Sequence, residues 1–295
     1  MTGPGRDPQP GRLVLVATPL GNLGDLSPRA AAVLGSADTV ACEDTRHTAR
    51  LLNLAGIARR RLVAVHGHNE AAMVASIVGR LRAGETVAVV SDAGTPGVSD
   101  PGERLVRAAA AAGFAVSVVP GPSAAIAALV VSGLPTDRFV FEGFLPRKGP
   151  ERAARLGALA VEARTAVLYE APHRLAATLA DLTAACGPER PVVLVRELTK
   201  MHEEIWRGGL GASVSSAMAG APRGEFVVVL GGAAEPAPVD DDTLAEALAE
   251  QLAAGLGRRD AAAAVTARLG VARNRAYDVA VRLPGNGHVP PVDGR

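Results

Sequence analysis

The sequence predicts an α/β protein: a five-stranded parallel sheet, then a second α/β domain with a mixed sheet, then a small helical tail. Three features lead there. Short apolar runs alternate with helical stretches over residues 13–119, the rhythm changes after Pro135, and a Pro-broken segment at 234–239 opens onto Ala- and Arg-rich helical patterns. Strands alternating with helices imply crossover connections and parallel pairing. Two strand-like runs joined by a short link imply antiparallel pairing.

Residues 1–11 are Gly, Pro and polar residues, expected to be disordered. The first strand is read at 13–17 and ends in Thr18-Pro19-Leu20-Gly21-Asn22, a turn-forming run. A helix at 27–34, a strand at 39–42, a helix at 47–54, a strand at 62–65 and a helix at 70–82 follow. A strand at 86–90, a helix at 102–112 and a strand at 116–119 complete a first domain over 12–134. Ligands of such sheets lie beyond the carboxyl ends of the strands, here the loops at 18–25, 43–48, 66–70, 91–102 and 120–124. A second domain over 135–233 has strands at 139–142, 166–169, 192–196, 204–207 and 226–230, with helices near 150–160, 172–185 and 211–219. The tail, 240–285, begins with Asp240-Asp241-Asp242, where a helix N-terminus favours negative charge. Its stretches 260–269 and 272–283, joined at Gly270-Val271, outline a helix-turn-helix.

With 295 residues, 48% hydrophobic and only 3% aromatic, the chain fits Ala/Val/Leu-rich cores and not a small disulfide-stapled scaffold. Its two cysteines, Cys42 and Cys186, have no C-x-x-C or metal-ligand spacing and read as reduced thiols of a cytoplasmic protein. No apolar segment precedes Leu13, and the most apolar stretch, 108–134, is cut by Pro120-Gly121-Pro122. Neither a signal peptide nor a membrane span is expected. A net charge of +1 gives no global field, so nucleic acid would be held by local patches. Residues 255–295 carry seven arginines against three aspartates, an excess suited to phosphate contact and equally to a solvated helical cap.

The most informative loop is Ser91-Asp92-Ala93-Gly94-Thr95-Pro96-Gly97-Val98-Ser99-Asp100-Pro101-Gly102. Its glycines let backbone approach a ligand closely, its spacing matches neither G-x-G-x-x-G nor G-x-x-x-x-G-K-[ST], and Asp92 and Asp100 repel phosphate. It reads as a site for a neutral or cationic ligand. Glu43-Asp44-Thr45-Arg46-His47-Thr48 offers acidic, basic and hydroxyl groups to a cleft, with Asp44 or Thr45 also able to cap a helix. His66-Gly67-His68 lacks a third ligand, and no metal is expected. Phe144 beside Arg147, Lys148, Arg152 and Arg155 places four cations and an aromatic ring together, a pattern suited to single-stranded RNA and also to a solvated charge cluster.

Taken in order, 17–22, 43–46, 91–97, Pro120-Gly121-Pro122-Ser123-Ala124, Gly143-Phe144-Leu145-Pro146-Arg147-Lys148-Gly149, Tyr169-Glu170-Ala171-Pro172-His173-Arg174 and Arg196-Glu197-Leu198-Thr199-Lys200 closely resemble the ribosomal RNA small subunit methyltransferase I family. That family has the tetrapyrrole methylase fold. The resemblance runs from about 13 to 232 and extends more weakly into the tail. It implies S-adenosylmethionine bound between two α/β domains, a homodimer, and 2′-O-methylation of a cytidine ribose in the decoding region of 16S ribosomal RNA. The partner would be that RNA or the small ribosomal subunit.

Carried onto this chain, the resemblance implies a cofactor loop with Gly94, Gly97, Val98 and Ser99, joined by Ser123 and Ala124. Tyr169, Leu198, Glu225 and Phe226 would close over the adenosine, and Asp92 suits a cationic sulfonium. Glu43, Asp44, Glu197 and Lys200 are unranked candidates for a general base, Lys200 only with a depressed pKa. Arg46, Arg147, Lys148, Arg273 and Arg275 are expected on RNA. Two rivals are a tetrapyrrole C-methyltransferase of the same fold, and a DNA-binding regulator that senses a ligand through its α/β body.

Overall fold

The protein is represented by a computed structural model that describes residues 11–58, 60–217, 223–234 and 239–283. The expectation for 1–11 lies outside the described residues, apart from Gly11, which is buried against the Leu81 carbonyl. Residues 284–285 of the expected tail and Arg295 also lie outside them.

The first sheet comprises β1 (Arg12–Val16), β2 (Thr39–Cys42), β3 (Arg61–Ala64), β4 (Thr86–Val90) and β5 (Ala115–Val119), in the order β3-β2-β4-β1-β5. Every pair is parallel, because a helix crosses over between successive strands. The helices are α1 (Pro28–Ser36), α2 (Thr45–Leu54), α3 (Glu70–Arg82) and α4 (Glu103–Ala111). Local chemistry starts them. Ser27 and Asp44 accept backbone N–H bonds from the first turns of α1 and α2. The N–H groups of Gly102 and Arg104 at the start of α4 donate to the buried Glu70 carboxylate, at 3.0 and 2.9 Å. Alternate residues of the sheet enter two cores. Val14, Val16, Val40 and Ala88 pack with Leu34 and Leu52, while Leu13, Ala41, Val87 and Val89 pack with Ile77, Leu81 and Leu105.

The second sheet comprises β6 (Phe139–Phe144), β7 (Thr165–Glu170), β8 (Pro191–Arg196), β9 (Glu204–Gly209) and β10 (Phe226–Leu230), in the order β6-β7-β10-β8-β9. Only β6 and β7 are parallel; the other three pairs are antiparallel, so the sheet is mixed as expected. One face carries α6 (Pro150–Val161), α7 (Pro172–Cys186) and α8 (Leu210–Ala217) over a core that includes Leu168, Leu175, Leu179, Leu182 and Leu194. Truncating one such leucine to alanine costs about 2–5 kcal/mol.

One helix escapes the sequence reading. It is α5 (Ala124–Ser132), which leaves the end of β5 but packs Ala125, Ala128 and Leu129 on the other face of the second sheet, against Val167, Val193 and Val227. The chain up to Ala233 thus forms one compact unit with both sheets.

The residues from Ala234 form a separate compact unit of three helices, α9 (Asp241–Ala253), α10 (Arg258–Leu269) and α11 (Arg273–Arg282). They share a small core of Leu244, Leu248, Ala261, Val265 and Ala276. Gly270, left-handed at φ 67°, turns α10 into α11. Among the described residues, no helix is long and apolar enough to cross a membrane.

Candidate active site

The strand order brings four loops together. Because β4 lies between β2 and β1, and β5 flanks β1, the loops leaving their carboxyl ends meet at one edge of the first sheet. Thr18 and Gly94 exchange both backbone bonds, at 2.9 and 3.0 Å. The Thr95 hydroxyl donates to the Pro122 carbonyl at 3.0 Å, and the Asp44 N–H donates to Asp92 Oδ1 at 3.1 Å. Gly94 has φ 80°, and a Cβ there would lie 3.1 Å from Leu20 Cδ2, so glycine suits both the conformation and the space. Ser99 is left-handed at φ 63° without being glycine, local strain of the kind that gathers at ligand sites.

The second sheet supplies the facing wall. A register shift in β6 between Phe141 and Gly143 re-aims the strand, and Gly143 approaches Ser99 so closely that a Cβ would be 3.0 Å from its Oγ. The Tyr169 hydroxyl accepts the Ala125 N–H at 3.1 Å, and its ring meets Phe144 edge-on with centroids 5.7 Å apart. Between the walls lies a cavity of about 330 Å³. Leu20, Val98, Phe144, Tyr169 and Phe226 form its apolar surface, while Asp92, Asp100, Glu170 and Glu225 bring carboxyl groups to it. No lysine or arginine lines it among the described residues.

Of the residues expected at the cofactor, Asp92, Gly94, Val98, Ser99, Ser123, Ala124, Tyr169, Glu225 and Phe226 all line this cavity. Gly97 and Leu198 do not. Gly97 sits behind the loop at φ 86°, its N–H bonded to the Pro101 carbonyl, and Leu198 packs into the α5 core. The sequence reading did not name Leu20, Glu170 and Val227 as wall residues, and it offered Phe144 as a stacking group for RNA or part of a solvated cluster, whereas Phe144 lines the cavity. Glu170 is bound by the Ala171 N–H, the Thr178 hydroxyl and Arg174, so it braces the wall.

The four base candidates separate by environment. Asp44 accepts the first N–H groups of α2 and the Arg46 guanidinium; hydrogen bonding to Arg46 holds it down at about 2. Lys200 does not meet its condition. Burial would lower its pKa, but hydrogen bonds to Glu197 at 3.0 Å and Glu225 at 3.1 Å outweigh that and raise it. Burial pushes the Glu197 carboxyl up, yet the Glu225 N–H and Lys200 bring its net pKa below the usual range. The Lys200 stem also lies over Gly21, where a Cβ would be 2.4 Å from its Cγ, so Lys200 ties the two walls together. Glu43 moves upward, chiefly through burial and then through the charge of Asp92. Asp100, absent from the expected set, is raised to about 6 by burial first and the Glu43 charge second.

The expected RNA contacts are uneven. Arg147 and Lys148 are exposed in the loop after β6, and Arg273 is exposed at the start of α11. Arg46 is exposed but paired with Asp44 at 3.1 Å. Arg275 is bound to Asp241 at 2.7 Å and to the Val239 carbonyl at 2.6 Å, which occupies its guanidinium within the three-helix unit. Arg152 and Arg155 turn inward to Asp181 and Glu142, which removes two of the four cations from the expected cluster.

A cavity that joins an apolar body to carboxylates, reached by backbone at the strand ends of two α/β sheets, defines a class. Residues 12–214 match the family model for Tetrapyrrole (Corrin/Porphyrin) Methylases, and the chain belongs to that family. More particularly, it is similar to proteins named ribosomal RNA small subunit methyltransferase I. The one from Synechocystis sp. is 45% identical over 94% of this chain and all of its own length. The one from Pseudomonas aeruginosa is 47% identical over 93% of this chain and 98% of its own. Among solved structures, uroporphyrin-III-C-methyltransferase from Thermus thermophilus superposes with a TM-score of 0.54 at 25% identity, over 74% of this chain and 93% of that one.

Proposed function

We propose that this protein methylates the 2′-hydroxyl of a cytidine ribose in the decoding region of 16S ribosomal RNA. The methyl donor is S-adenosylmethionine. The observation that carries the reading is the cavity itself, apolar and acidic with no basic residue among its described lining, combined with high identity to proteins named as small-subunit ribosomal RNA methyltransferases. Its volume lies at the lower end of the range that holds cofactors. Phe144, Tyr169 and Phe226 suit a flat apolar ring system, and Asp92, Asp100 and Glu225 suit a cation.

When bound, S-adenosylmethionine supplies an electrophilic methyl group on a sulfonium. The chain's own contribution is to orient, to exclude water and to hold a proton. The strained loop 94–99 and the Tyr169–Ala125 bond fix the two walls. Glu43 and Asp100 are the carboxyls whose surroundings shift them toward the working range of a base, a contribution of about 10²- to 10⁴-fold. Arg46, Arg147, Lys148 and Arg273 are assigned to the RNA backbone. The acceptor is the small subunit or its RNA, in the cytoplasm.

The homodimer reading is supported by exposed apolar side chains concentrated between 118 and 144: Val118, Ile126, Val130, Phe139 and Phe141. Exposed large apolar side chains of this kind are what a subunit contact would cover.

The test incubates the protein with labelled S-adenosylmethionine and small subunits lacking the modification, then digests the RNA for mass spectrometry. Label in 2′-O-methylcytidine is expected. Label on a base, or none in RNA, overturns the reading.

A further inference from the structure

A second depression lies on the first sheet, between α2 and β3. It encloses about 760 Å³ over an apolar floor of Leu52, Ile57 and Leu62. Its polar lining includes Arg46, Asn53, Arg60 and Arg61, with no carboxylate among the described lining residues. Arg46 is drawn toward Asp44, but the side chains of Asn53, Arg60 and Arg61 have no hydrogen-bond or ion-pair partner among the described residues. Arg60 Nε is buried as well as unpaired. A buried donor without a partner is destabilising, and an incoming acceptor would relieve it. Two free guanidiniums beside an amide form a receptor for phosphate oxygens.

Its position gives this groove a role. Thr45 and Arg46 line it, and the preceding Asp44 donates its N–H to Asp92, which lines the donor cavity. The Thr45–Arg46 end of the groove therefore approaches the donor cavity across the first turn of α2, while Arg60 and Arg61, at the amino end of β3, lie at the groove's far end. A polyanion is repelled by the carboxyl groups of one and attracted by the arginines of the other. A ribose hydroxyl, being neutral, can enter the acidic cavity while the phosphates of its strand lie along the basic groove.

We propose that the α2–β3 groove binds backbone phosphates of the RNA strand whose ribose is methylated, with Arg60 and Arg61 as the principal contacts and Asn53 in support. This rests on the RNA reading above.

The test compares the unmutated protein with Arg60→Ala/Arg61→Ala and Arg60→Lys/Arg61→Lys. It measures methyl transfer to small subunits, binding of a single-stranded RNA oligonucleotide against salt, and S-adenosylmethionine affinity by calorimetry. The alanine pair is expected to raise the KM for subunits about tenfold, to leave kcat and donor affinity within about twofold, and to lower the salt slope of oligonucleotide binding by about 1 to 2. The lysine pair, which keeps the charge, should recover most of the KM. Unchanged KM and salt slope in the alanine pair, while the unmutated protein methylates RNA, overturn the groove and leave the function standing. Weakened subunit binding with unchanged oligonucleotide binding assigns the groove to a ribosomal protein and overturns it too. If the unmutated protein places no methyl group in RNA, the proposed function falls and this inference falls with it.

Discussion

The donor cavity and the α2–β3 groove are built on the same sheet with opposite chemistry. The cavity takes its polar character from carboxyl groups and strand-end backbone, and its walls come from two sheets. The groove takes its character from arginines around an apolar floor, all of it from the first sheet and its helix. What separates them is Asp44, which caps α2, pairs with Arg46 and reaches Asp92 through its backbone. The proposed ligands, a cationic donor and a polyanionic acceptor, need opposite fields, and a single helix start would partition them.

The strongest way to break this comparison is at the cavity. Gly94→Val puts a β-branched side chain at φ 80° and against Leu20, and should reduce donor affinity at least about 100-fold by calorimetry. Equal affinity would mean that the donor lies elsewhere. Next, Arg147→Ala with Lys148→Ala should raise the KM for RNA several-fold with donor affinity unchanged; a matching loss of donor binding would erase the division of labour. Ionic strength sharpens the same contrast in the unmutated protein, since RNA affinity should fall steeply with salt and donor affinity only slightly.

Asp100 provides a pH test. Its folded pKa, about 6, lies above the ordinary carboxyl value, so its neutral form is favoured by folding and the ionised form is present above that pH. Donor affinity should therefore fall as pH drops through about 6, and Asp100→Asn should flatten that profile. Without ligand, the burden of burying the charge is absent at low pH and present above about 6. Asp100→Asn should accordingly raise Tm at pH 8 and leave it nearly unchanged at pH 4. The smallest effect is expected from Tyr169→Phe, which leaves the Ala125 N–H unpaired and costs about 1–2 kcal/mol, read as a Tm drop of a few degrees.

The sequence made the sheets legible because their strands are short β-branched runs between turn residues. β2, β4 and β10 begin and end where periodicity places them, and so does α3. The helix α5 was hidden because it is apolar on every side, so no amphipathic repeat distinguishes 124–132 from a buried strand. At the site, the Gly/Pro loop identified one wall by itself. Glu170 stayed unassigned because its bonds to Thr178 and Arg174 exist only once α7 packs on β7. Charge counts were least informative. Arg147 and Arg152 look alike in sequence, yet one is exposed while the other is buried against Asp181, Thr178 and the Pro146 carbonyl.

The placement of α5 bears on how the site can open. By chain order this helix continues the first sheet, and by packing it belongs to the second, where Ala128 and Leu129 lie against strand valines. Swinging the sheets apart would therefore carry α5 with the second sheet and place the bend in residues 120–123, between β5 and α5. The helix thus acts as a clasp of the second sheet on a four-residue tether, and the Lys200 stem over Gly21 is the contact that an opening of the site would have to release.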